Sequence, residues 1–251
     1  MSMAGSGWGL LGSTGGARQL QQLSAGLSVR DWAVASAILA PIGLAAAALA
    51  AHVLLGAHSG YSPLRQTMSV MAADRPVTGI MTAGFVWSGL CLLLTGLGLR
   101  GVRRVSRSVL ASSGLCAFVV AAFPVSWNSF PGMSAIHIAA TSTAAVLLAI
   151  WPLTVSSRSA AVPFTFRPYA GVAVTLAMIG LLAWVLYEAD QGGLLGLSER
   201  VVIFAEMIWP AIVVISGARW LRSRRTDPGP DGSPTPVAAD AVGPALEQTR
   251  D

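Results

Sequence analysis

Lysine is absent from this chain of 251 residues, and charged side chains of any kind fill only 11% of its positions. A soluble domain carries roughly 25%, so composition excludes the one or two soluble domains that the length alone would suit. Cysteine is nearly as scarce. Cys91 and Cys116 are the only two and both lie inside apolar runs, which excludes a disulfide framework. Histidine occurs three times, with no H-x-x-x-H pair, so the helical spacing common to zinc sites is missing. The net charge of +5 comes from arginine alone. A basic balance can mark a nucleic-acid face, but these arginines cluster beside apolar runs, the pattern that sets membrane orientation. No nucleic-acid partner is expected.

In place of charge the chain has long apolar sequence. No formal charge occurs across residues 32–64, 76–99, 108–157 or 168–187, and mean hydropathy is +0.65. A helix needs about 20 mostly apolar residues to cross the hydrocarbon core, so the longest stretch holds two spans. The reading is an all-α integral membrane bundle of six transmembrane helices, at about 32–56, 78–99, 108–125, 134–155, 169–187 and 201–218. Ala48-Leu49-Ala50 resembles a signal-cleavage site. The run that contains it is too long for a signal core of about 7–15 residues, and is read as a retained span. Residues 1–30, rich in Gly, Ser and Gln, read as a flexible leader, and 31–222 as the membrane domain. Residues 223–251, with the run Asp227-Pro228-Gly229-Pro230-Asp231-Gly232, read as a disordered tail.

Orientation follows from arginine. Six spans put 13 of the 16 arginines on the side of the two termini and leave Arg65, Arg75 and Arg200 on the other. The positive-inside rule then places both termini in the cytoplasm, with the plasma membrane as the expected location. Two outer connections carry pattern. Ser62 can cap a helix whose first residue is Pro63, and Leu64, Met68 and Met71 recur at helical spacing. Residues 63–73 are therefore expected to form a short amphipathic helix on the outer surface. Trp127 and Phe130 in the next outer connection sit where aromatic belts lie.

Several of these segments resemble a known family. They are Ser62-Pro63-Leu64 with Thr67 and Ser69, Phe123-Pro124, Gly132 with His137, and Gly196-Leu197-Ser198-Glu199-Arg200. In this order they are similar to bacterial and archaeal multi-span proteins grouped as domain of unknown function 998. The resemblance covers about residues 30–220. It implies a multi-helix membrane fold and carries no established activity, so no catalytic role transfers from it.

Chemistry is sought where polar groups are costly. At 1.5 Å per residue, His52 lies roughly 6 Å from the outer end of its span, His137 roughly 5 Å and Glu206 roughly 9 Å. Ionisable groups within spans usually face the bundle interior or a watery cavity, so these three are expected to line one outer cavity, with Thr141 one turn below His137. Pro210 has no N–H for the Glu206 carbonyl, and a kink there would open a polar pocket. The plainer role for His137 and Glu206 is a hydrogen bond between helices, and His52 could equally mark the wet end of span 1, where an exposed histidine needs no explanation. Glu206 is expected to be neutral or bonded across helices, so that Glu206→Gln folds and Glu206→Leu does not. Arg65 and Arg200, each beside a helix end, are candidates to hold an anionic head group. The same outer charges could simply pair with Asp74, Glu188, Asp190 and Glu199. The repeats Ser88-Gly89-Leu90-Cys91 and Ser113-Gly114-Leu115-Cys116 read as close helix packing.

The reading is a non-enzymatic bundle in the lipid bilayer. An outward-facing polar cavity between spans 1, 4 and 6 would bind a lipid-like or amphiphilic ligand, or a membrane-protein partner. No cofactor is expected. A metal-dependent hydrolase is the alternative, with His52, His137, Glu206 and Asp74 as zinc ligands around an open position. A proton-coupled transporter with Glu206 as the titrating group is the third class, disfavoured by the lack of an inverted repeat.

Overall fold

The computed structural model describes residues 28–56, 60–73, 76–125, 131–157 and 162–226. Six of its helices are long and apolar enough to span a membrane. They are α1 (Asp31–Leu55), α3 (Thr78–Gly98), α4 (Arg104–Ala122), α5 (Pro131–Val155), α6 (Pro168–Gln191) and α7 (Leu195–Thr226), and a six-residue helix, α2 (Met68–Ala73), lies between the first two spans. The all-α membrane bundle is the architecture found. Even the shortest span, α4 with 19 residues, reaches about 28 Å, close to the roughly 30 Å of a hydrocarbon core. The last helix begins six residues before the span expected at 201–218 and runs past it to Thr226. Ser28 and Val29, assigned to a leader on composition, instead form a strand, β1 (Ser28–Val29), paired antiparallel with β2 (Leu99–Arg100). Residues 1–27 of the leader and the tail beyond Thr226 lie outside the described residues.

Consecutive spans pack on one another, and α7 closes the ring by packing on α1 as well as α5 and α6. Without a hydrophobic drive between helices in lipid, contact depends on small residues that let backbones approach. The two Ser-Gly-Leu-Cys repeats meet in this way: a Cβ on Gly89 would lie 2.7 Å from the Gly114 oxygen, and one on Gly114 would lie 2.5 Å from the Gly89 oxygen. Several polar side chains inside the bundle are tied to neighbouring helices. Ser36 Oγ meets Thr95 Oγ1 at 2.9 Å between α1 and α3, and Trp151 donates its indole N–H to the Ser106 carbonyl at 2.9 Å between α5 and α4. The flanks carry the reverse pattern, with Ile42, Leu49, Val53, Leu176 and Leu186 all exposed. Such a belt of large apolar side chains suits a bilayer and not water.

Two apolar clusters divide the interior. One, around Leu99, Leu110, Trp151, Phe166 and Val214, lies towards the paired strands. The other joins Leu44 and Met81 to Met68, Met71, Val77 and Met207 at the end that holds α2. Between the second cluster and α4–α5 the packing opens into the candidate site.

Candidate functional site

Helix N-termini leave backbone N–H groups without intrahelical partners, and two such ends satisfy one another here. The amide of Met68, first residue of α2, donates to Glu199 Oε2 on α7 at 2.5 Å. In return the amide of Leu197, in the first turn of α7, donates to the Leu64 carbonyl at 3.0 Å. Arg200 tightens the joint. Its Nη1 donates to the carbonyls of Pro63 at 2.7 Å, Gln66 at 3.0 Å and Gly196 at 2.6 Å, and its Nη2 to the Tyr61 hydroxyl. Tyr61 in turn donates to the Gln66 and Thr67 carbonyls, each at 3.2 Å. Gly196 is required by this closeness, because a Cβ there would lie 2.2 Å from the Gln66 oxygen.

These bonds correct the expected helix over 63–73. Residues 63–66 form a turn closed by the Ser62 carbonyl, and the helix begins only at Met68. The carbonyls that would carry a helix forward from Pro63 are held by Arg200 and Leu197. Thr67 is the cap that the chain uses, its Oγ1 accepting the Val70 amide at 3.1 Å. Leu64 turns outward while Met68 and Met71 are buried, so the expected apolar stripe is split.

His137 forms a second link. Pro124 cannot continue α4, and the carbonyl of Phe123 at the end of that helix accepts from His137 Nδ1 at 2.9 Å. A carbonyl only accepts, so Nδ1 carries hydrogen, and in a neutral ring Nε2 is the acceptor. Ser69 Oγ lies 2.9 Å from that Nε2, placed to donate. The segments that carried the family resemblance are therefore one structure. The 62–69 stretch, Phe123-Pro124, His137 and the 196–200 stretch form a clasp that seats α2 against α5 and α7. Gly132 stands apart, since a Cβ there would meet nothing within 4 Å among the described residues.

Beneath the clasp lies a cavity of about 90 Å³, walled mainly by α3, α4, α5 and α7 and roofed by Met68 and Ser69. Glu199, Ile203 and Glu206 line it at helical spacing along α7, and Thr141 faces it from α5. Apolar residues dominate the wall. Of the six buried polar side-chain atoms without a hydrogen-bond partner among the described residues, two belong to residues of this wall, Glu206 Oε1 and Thr141 Oγ1.

The expected site residues thus divide. Glu206 and Thr141 share the cavity, while His137 stands behind Ser69 and does not line it. His52 is exposed on α1, its ring 6.4 Å from that of Tyr61. Matched depth could not place it inward, because depth along a helix carries no rotational register. The cavity takes only Leu44 from α1, so the pocket expected between spans 1, 4 and 6 is shifted towards spans 2 and 3. Arg200 spends its donors on backbone carbonyls and Tyr61 instead of a head group, whereas Arg65 is exposed. Glu188 accepts the Trp184 indole at 3.1 Å and the Leu194 amide at 2.6 Å. The helix α7 runs unbroken through Pro210, which leaves the Glu206 carbonyl without that N–H but does not end the helix. Asp74 and the connection with Trp127 and Phe130 lie outside the described residues. Among the described residues no three His, Cys, Asp or Glu side chains converge as a metal-ligand group.

Six apolar spans and a folded connection seated over an internal cavity define a class: multi-span helical membrane proteins. The chain belongs to the family of proteins of unknown function DUF998, whose sequence profile matches residues 26–216. No curated protein and no solved structure matches it.

Proposed function

We propose that this protein binds a lipid-like or other amphiphilic molecule in the cavity under the clasp, with the clasp on the outer side of the plasma membrane and both termini in the cytoplasm. The observation that carries the reading is the cavity's make-up: apolar walls inside a membrane bundle, with Glu206 Oε1 and Thr141 Oγ1 buried and unpartnered. A buried polar atom without a partner costs about 1–3 kcal/mol, a cost that a ligand with a polar head and an apolar tail would relieve. The apolar wall suits the tail, and the exposed Arg65 beside the clasp is a further contact for an anionic head. Orientation rests on the arginine distribution, 13 against 3, under the positive-inside rule.

Native mass spectrometry of the purified chain tests this. The wild type should retain an acyl-chain lipid through detergent exchange. Ala145→Phe, which fills the wall of α5, should lose it while unfolding at a similar temperature. Equal lipid retention by the two proteins would refute the cavity as the binding site.

A further inference from the structure

We propose that Ser69 and His137 form a nucleophile–base pair that cleaves an acyl ester of the bound amphiphile. The inference rests on the cavity reading above and adds chemistry to it. Nucleophilic serines are recognised by a base within hydrogen-bond reach, itself oriented by a third group. All three parts are present: Ser69 Oγ lies 2.9 Å from His137 Nε2, and His137 Nδ1 lies 2.9 Å from the Phe123 carbonyl. The third group fixes the tautomer, since an N–H on Nδ1 leaves Nε2 of the neutral ring free to take a proton. His137 is 3% exposed, and Ser69 stands between it and the cavity that it lines. Ser69 therefore borders the ligand space, and its base, which does not line that space, is shielded from solvent.

In the reaction, Ser69 Oγ bonds to the ester carbonyl carbon as its proton passes to His137 Nε2. The ester C–O bond breaks, and the departing alcohol oxygen takes that proton from His137. Water then adds to the acyl-serine, giving a proton to His137. The bond to Oγ breaks, the carboxylic acid leaves, and Ser69 recovers its proton. Thr141 Oγ1, unpartnered in the same cavity, is an O–H donor available to the ester carbonyl. A purely architectural hydrogen bond between α2 and α5 would account for the distance from Ser69 to His137. It would not require Ser69 to line the cavity or its hydroxyl to react.

The test uses the full chain, purified in detergent, and a long-alkyl-chain fluorophosphonate, which phosphonylates activated serines. The expected result is one adduct, mapped by peptide mass spectrometry to Ser69 and absent from Ser69→Ala. His137→Gln should slow labelling by at least about a hundredfold, the scale of general-base assistance, and thermal unfolding of the same samples shows whether the fold survives. Ser69→Ala keeps the test decisive if His137→Gln does not fold. A wild type that retains lipid but stays unlabelled, or is labelled at another serine, overturns the dyad and leaves the cavity reading intact. Labelling at Ser69 in a protein that retains no lipid sustains the dyad and counts against the cavity reading.

Discussion

The Tyr61 hydroxyl accepts from Arg200 and donates to two carbonyls, roles that need a neutral phenol. Burial pushes its pKa above the ordinary 10, outweighing the lowering effect of the Arg200 charge. The folded protein therefore keeps this proton to higher pH than the unfolded chain does. The resulting stability is complete below the unfolded value and is lost as pH rises through the folded one. Thermal unfolding between about pH 9 and 11 should fall more steeply for wild type than for Tyr61→Phe; parallel curves would remove the phenol from the clasp. Glu206 leads to the opposite kind of prediction. Sequence reasoning expected Glu206→Leu to fail to fold, on the premise of a hydrogen bond across helices. Glu206 Oε1 has no partner, so the purified Leu variant should unfold at an equal or higher temperature, with a gain on the order of 1 kcal/mol. A clear loss of stability would mean that Glu206 carries a structural bond. The residue types at the site were legible because ionisable groups in apolar runs stand out. Their partners were not, since Ser69 meets His137 across 68 positions and Arg200 meets Pro63 across 137.

Among the elements, the long spans were the most legible, because a charge-free run of sufficient length has one stable solution in lipid. The short helix was the least. Its start depends on which carbonyls Arg200 and Leu197 remove from it, and neither residue is near it in sequence. The packing of α3 on α4 lies between these cases, since the paired Ser-Gly-Leu-Cys repeats pointed to it. Gly114→Val should cost about 1–3 kcal/mol by overpacking, because its Cβ would press on the Gly89 carbonyl. Gly180, where an added Cβ would meet nothing within 4 Å among the described residues, provides the control, and Gly180→Ala should be neutral or stabilising by up to about 1 kcal/mol. Chemical unfolding of both variants measures the difference. Equal effects would show that the close approach of α3 and α4 is not a constraint.

For the whole molecule, six spans follow from apolar length, and the family profile over residues 26–216 agrees with the stretch that carried the resemblance. Orientation is a separate matter, and the proposed one rests on where the arginines lie. Reporter fusions after Arg104 and Arg222 should read cytoplasm and one after Asn128 the exterior; an exterior signal after Arg222 would invert or break the topology. What the molecule encloses could not be read from one-dimensional pattern, because a cavity is a property of helix rotation. The central claim is that the space under the clasp holds an amphiphile, and cryo-electron microscopy of the chain in lipid nanodiscs addresses it most directly. The account predicts elongated density between α3, α4, α5 and α7, with its polar end near Ser69, Glu199 or Glu206. A cavity collapsed by side-chain repacking, or filled by water alone, would contradict it.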